Sequence, residues 1–207
     1  MRFALAAARG LARSAPLFVL VLACALAWSA AAVAGPGSYT VSGGTPTQQQ
    51  QVRLALDASV FPWSAVPDTI AVTIARGIST SSIPGAVWLD SDLLDAGVFS
   101  WAFVQDEFAH QIDYLVLTDR DRSALNRALR GRVWCHVDLP GLPHASYGCE
   151  RFSSTFVWAY WQNSANAYRP RSRRDESAAM APAAFRALLE PMLKLRSRRT
   201  PLSTFEP

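Results

Sequence analysis

Trp101-Ala-Phe-Val-Gln-Asp106-Glu107-Phe-Ala-His110-Gln-Ile-Asp113-Tyr114 is the stretch on which the reading of this chain turns. Trp101, Val104, Phe108 and Ile112, with Leu115 beyond, recur at three- and four-residue spacings, the period of one helical face. The pattern predicts a helix from about Val98 to Thr118. Phe103, Tyr114 and Leu117 add apolar surface on a second face, so most of this helix is expected to be buried. Its polar members, Asp106, Glu107, His110 and Asp113, then need partners, because an unpaired buried carboxylate is strongly disfavoured.

Upstream, Thr69-Ile-Ala-Val-Thr-Ile-Ala75 alternates β-branched residues between Pro67-Asp68 and Arg76-Gly77 and reads as a strand. Ala86 to Asp90 is a second strand, with a Ser/Thr-rich loop expected over Ile78 to Ile83. Val52, Leu54, Leu56 and Val60 predict a short helix starting near Gln50. Residues 35–50, rich in Gly, Pro, Thr and Gln, read as a flexible lead-in. Downstream, a helix is expected over Ser123 to Leu129, ending at Gly131. Arg132 to Gly148 is irregular, and Glu150 to Gln162 is helical and aromatic. Asn163 to Ser177 reads as an exposed or disordered loop. A last helix runs from Pro182 to Leu195, with Pro191 expected to kink or shorten it. The order of elements predicts one α+β domain over residues 51–199 with a tail at 200–207.

The N-terminus carries Arg2, Arg9 and Arg13, no acidic residue, and an apolar run from Pro16 to the triplet Ala32-Val33-Ala34. This is the pattern of a secretory signal over residues 1–34 with a small-residue cleavage site. Its removal from the 207 residues leaves 173, enough for one domain with a sizeable core. An uncleaved span and a lipidated Cys24 are the alternatives; the domain is exported in each case. Without the three signal arginines, 17 basic side chains face 16 acidic ones, which leaves no charge argument for nucleic acid, nor for a membrane surface as partner of the mature form. Arg171, Arg173 and Arg174 form a small basic cluster that reads as a solvated loop. Cys135 and Cys149 remain in the exported chain and are expected to pair, closing a loop of about 15 residues worth about 3 kcal/mol.

Asp106 and His110 lie four residues apart with Glu107 between them. Two ligating side chains at that spacing project from one helical face toward a metal, and the adjacent glutamate is placed to act as general base. With Glu150-Arg-Phe152-Ser153-Ser-Thr-Phe156 downstream, the segment resembles the gluzincin metallopeptidases, in particular the anthrax lethal factor type, which carry H-E-F-G-H-x-x-D and later E-x-F-A-x-x-F. The resemblance spans Val87 to Trp161. It implies a zincin-like fold, with a small sheet packed on the active-site helix and a peptide or protein as substrate. It also implies metal ligation by Asp106, His110 and Glu150, proton transfer by Glu107 and a supporting role for Asp113. His144 or Tyr147, in the loop before Glu150, are candidates to stabilise an oxyanion, and His136 or His144 to replace a missing ligand.

The departure is Asp106, which stands where the family has histidine. A carboxylate ligates zinc but is shorter than imidazole, and two carboxylates with one histidine nearly cancel the charge of a divalent ion. Water bound there is less acidified, and oxygen-rich coordination favours harder ions such as Mn²⁺ or Ca²⁺ over Zn²⁺. Two readings follow: a secreted metallopeptidase-like protein, or an inactive zincin fold that binds a protein or cell-wall partner. A plain solvated i,i+4 pair of Asp106 and His110 is the non-functional alternative. It accounts for neither the preceding strands nor Glu150. Asp106-Glu-Phe-Ala-His110 also reads as a helicase box, which the absence of any G-x-x-x-x-G-K-[ST] phosphate loop excludes.

Overall fold

Residues 39–43 already pair into the sheet, so the fold begins well before Gln50. The structure, a computed structural model, describes residues 37–197. The expected signal segment 1–34, Cys24 and the expected tail 200–207 lie outside the described residues. Four strands form one mixed sheet: β1 (Tyr39–Gly43), β2 (Ile70–Ala75), β3 (Ser81–Ile83) and β4 (Ala86–Asp90), in spatial order β1-β2-β4-β3. β1 and β4 run parallel to β2, while β3 is the antiparallel edge. Six helices accompany them: α1 (Pro46–Ala58), α2 (Ser91–Leu94), α3 (Trp101–Leu115), α4 (Asp119–Leu129), α5 (Gly148–Tyr160) and α6 (Pro182–Ser197). The expected α+β class is observed.

Residues 37–50 of the expected lead-in are structured. Tyr39, Val41 and Gly43 sit in register with Ile70, Val72 and Ile74. α1 then starts at Pro46 because Thr45-Pro-Thr-Gln48 is a capping box: the Thr45 hydroxyl accepts the Gln48 N–H at 3.2 Å and the Gln48 side chain accepts the Thr45 N–H at 2.8 Å. Likewise Thr118 and Asp121 cap each other, so α4 begins at Asp119 rather than Ser123. The expected loop over Ile78 to Ile83 contains β3, because Pro84-Gly85 turns the chain back, with Gly85 at φ +80° where only glycine is unstrained.

One face of the sheet is covered. Ile70, Val72 and Ile74 of β2 and Val87 and Leu89 of β4 enter a core shared with Val52 and Leu56 of α1 and Val104, Phe108 and Ile112 of α3. Phe152 and Phe156 of α5 and Phe185 and Leu189 of α6 complete it. α6 runs through Pro191 instead of stopping there. A helical proline costs about 3 kcal/mol, and complete burial of Phe185 and Leu189 in the same helix contributes about as much or more.

Two buried glutamines lock α3 in place. Gln105 donates to the Ala55 carbonyl of α1 at 2.7 Å. Gln111 accepts the Gly85 N–H at 2.8 Å and donates to the Ile83 carbonyl at 2.9 Å, which fastens the β3–β4 hairpin against α3. The edge strand therefore lies beside the polar face of the helix. Cys135 and Cys149 form a disulfide with 5.5 Å between Cα atoms. It ties the irregular segment before α5 to the first turn of that helix.

Asn163 to Ser177 is ordered rather than a free loop. The buried Asn166 donates to the Trp161 carbonyl at 2.7 Å and accepts the Tyr168 N–H at 2.8 Å, a bracing that the Gly-poor, Arg-rich sequence does not announce. Ser177 is also buried, and Thr155 of α5 donates to the Glu176 carbonyl at 3.3 Å.

Candidate functional site

α3 and α5 face each other, and their facing polar residues are those singled out by spacing. His110 Nε2 lies 3.5 Å from Glu150 Oε2. Glu107 and His110 are both buried, as is Ser153, one turn beyond Glu150 on α5. His144, in the short 3-10 turn His144–Ser146, brings Nε2 to 3.1 Å from the same Glu150 oxygen and Nδ1 to 2.9 Å from Glu176 Oε1. The result is a chain of alternating charge, His110–Glu150–His144–Glu176, running from the core outward.

Asp106 lies at the inner end. Burial raises its carboxyl above the usual range, against the opposing pull of His110 and of the Ser153 and Tyr168 hydroxyls beside it. Its Oδ1 is buried without a hydrogen-bond partner, and so is Nδ1 of His110. Glu107 is pushed up to about 7, first by burial and then by the neighbouring Asp106 charge. Burial alone would depress His110, but the Glu150 hydrogen bond and the charges of Asp106, Glu150 and Glu107 outweigh it and carry the imidazole to about 9. Hydrogen bonds to Glu150 and Glu176 lift His144 to about 10. Burial opposes ionisation of Glu150, yet its two histidine partners hold it well below the usual carboxylate range. Four carboxyl groups thus share a partly buried site with two imidazoles.

Several expected participants are elsewhere. Tyr147 does not face the site as an oxyanion donor. Its hydroxyl donates to the Leu139 carbonyl at 3.1 Å and accepts the Leu142 N–H at 3.0 Å, bracing the disulfide loop. His136 is exposed and packs edge-on against Tyr147. Asp113 is engaged by α4 and by the segment leading into α5: it accepts Arg122 Nε at 2.7 Å and Trp134 Nε1 at 3.0 Å. The guanidinium of Arg151, next to Glu150 in sequence, donates to the Leu129 and Ala145 carbonyls at 2.6 and 3.1 Å. Tyr168, Glu176 and Ser153 were not anticipated. Ser153 was legible as the residue three after Glu150, on the same face of a helix, whereas Tyr168 and Glu176 arrive from a segment without periodicity.

In kind, the donor set fits a divalent cation: one imidazole and two carboxylates on facing helices, with an orphaned buried Asp106 oxygen. In arrangement it is not closed. Among the described residues no three His, Cys, Asp or Glu side chains converge at metal-binding range as they stand. The chain matches no protein-family model, no curated protein and no solved structure.

Proposed function

We propose that this chain is an exported, zincin-type hydrolase of peptide bonds that works with a divalent metal. The observation that carries the reading is the facing of Asp106, Glu107 and His110 on α3 with Glu150 on α5, in a site where carboxyl groups outnumber imidazoles. A cation held by Asp106, His110 and Glu150 would supply a Lewis acid for the scissile carbonyl and acidify a water molecule. Two carboxylates and one imidazole suit Mn²⁺ as well as Zn²⁺.

The chain's own groups supply the remaining parts. Glu107, poised at about 7, takes and returns a proton near neutral pH, where general acid–base catalysis is most effective. His144, positively charged and at the outer end of the site, stands ready to stabilise negative charge developing on a carbonyl oxygen. Among the described residues β3 pairs with β4 alone, and an extended peptide would add at its outer edge by displacing the 3.4 Å bond from the Tyr114 hydroxyl to the Ser82 carbonyl. The Ser82 hydroxyl of that strand neighbours Glu107. A peptide added to β3 therefore runs past the proton-transfer group.

The test is cleavage of a mixed peptide pool by the exported chain after loading with Zn²⁺ or Mn²⁺, read by mass spectrometry. Products from the wild type and a loss of about 100-fold or more in Glu107→Gln are expected. Bound metal with no cleavage would refute the hydrolase reading. A non-catalytic binding module for a protein or cell-wall partner is the second reading. It is favoured by the pairing of Glu150 with two imidazoles and by the hydroxyls beside Asp106, contacts that form without a metal.

A further inference from the structure

The cavity next to the site has basic walls. A volume of about 430 Å³ is lined by His144, Tyr168 and Glu176, which belong to the site, and by Arg169, Arg171 and Arg174. The acidic groups nearby are already engaged. Glu176 pairs with His144, and Asp175 accepts the N–H groups of Arg171 and Ser172 at 2.6 and 2.9 Å and the Ser172 hydroxyl at 2.8 Å. Among the described residues, none of the three guanidiniums makes an ion pair or a side-chain hydrogen bond. Their backbone is nevertheless fixed: Asn166 anchors one end of the segment, Asp175 closes a turn over 171–175, and the buried Ser177 holds the other end. Three guanidiniums on a braced segment, Arg171 lying in the field of Asp175, line this cavity together with the His144–Glu176 pair and form an anion receptor. Arg presents planar paired donors that match a carboxylate.

We infer that this pocket recognises a carboxylate of the bound peptide and so makes acidic peptides the preferred ligands of the site. The inference rests on the reading of the chain as a peptide-processing protein. The carboxylate belongs either to an Asp or Glu side chain or to the peptide's C-terminus, and both present the same planar anion to the arginines. An anion seated there lies beside His144, which fixes the direction in which the rest of the peptide extends toward Glu150.

The test is capture of a random synthetic peptide library, half free acids and half C-terminal amides, by the full exported chain carrying Glu107→Gln so that bound peptides are not cut. Captured peptides are sequenced by mass spectrometry and compared with those held by the same chain carrying Arg171→Glu and Arg174→Glu in addition. Both arginines are exposed and their guanidiniums make no hydrogen bond, so the variant should keep its fold, which far-ultraviolet circular dichroism checks. Enrichment of about tenfold is expected, either of Asp and Glu in acids and amides alike, which assigns a side chain, or of free acids alone, which assigns the C-terminus. The charge reversal should abolish it. Absence of enrichment, or enrichment that survives the reversal, overturns the inference. Cleavage by the metal-loaded wild type is read separately. Acidic capture without cleavage would refute the hydrolase reading alone, and cleavage without acidic preference would refute this inference alone.

Discussion

Glu107→Gln should stabilise the metal-free protein at pH 8 and do little at pH 4.5. Glu107 is buried beside Asp106, and its carboxyl moves from an ordinary 4.5 to about 7 on folding. Between those values the native chain binds a proton that the unfolded chain has released, so stability falls as pH rises through this window. Below 4.5 both states are protonated and the penalty is absent. Above about 7 it is fully present, and a rise of this size corresponds to roughly 3 kcal/mol of unfavourable ionisation. Glutamine keeps the shape without the charge. Urea denaturation of both proteins at the two pH values, in the presence of chelator, gives the double difference. The variant should gain up to about 3 kcal/mol at pH 8 relative to its difference at pH 4.5. Equal differences at both pH values, or a wild type that is the more stable at pH 8, would show that Glu107 is not an ionisable group buried among like charges.

Three further outcomes follow from the same geometry. Asp113→Ala deletes the acceptor of the part-buried contacts from Arg122 and Trp134 and leaves both donors without it, and thermal melting should show a loss of about 2 kcal/mol. Replacing Cys135 and Cys149 together by Ala opens a loop with a sequence separation of 14, and should cost about 3 kcal/mol in the same assay. Asp106→His restores two imidazoles on one face of α3. Zn²⁺ affinity measured by competition with a chromophoric chelator should rise by about tenfold or more, and no rise would argue that position 106 is not at the metal.

Helical periodicity made α3 and α5 visible because their burial is one-sided and strong: Val104, Phe108 and Ile112 repeat on one, Phe152 and Phe156 on the other. The resemblance to the gluzincins, not periodicity, set Glu150 against His110. Features that depend on partners distant in sequence were harder to see. β1 offers only Tyr39 and Val41, both half-buried, as an apolar alternation, and it is a strand because β2 supplies its hydrogen bonds. Its neighbour α1 was readable in principle, since Thr45 to Gln48 spells a capping box. β3 spans three residues, too few for a period, and owes its place to the Gln111 clamp. Tyr147 lay close to Glu150 in sequence, but sequence proximity did not reveal that its hydroxyl turns back onto Leu139 and Leu142. Tyr168, Glu176 and the arginine-lined cavity come from a segment whose order derives from single hydrogen bonds such as that of Asn166.

Metal binding by Asp106, His110 and Glu150 is read directly by elemental mass spectrometry of the chain purified without chelating resin, beside Glu150→Ala. About one zinc or manganese per chain is expected in the wild type and none in the variant. A folded wild type without stoichiometric metal, or a variant that keeps it, would contradict the account and leave the ion-pair network of His110, Glu150 and His144 as a metal-free structure.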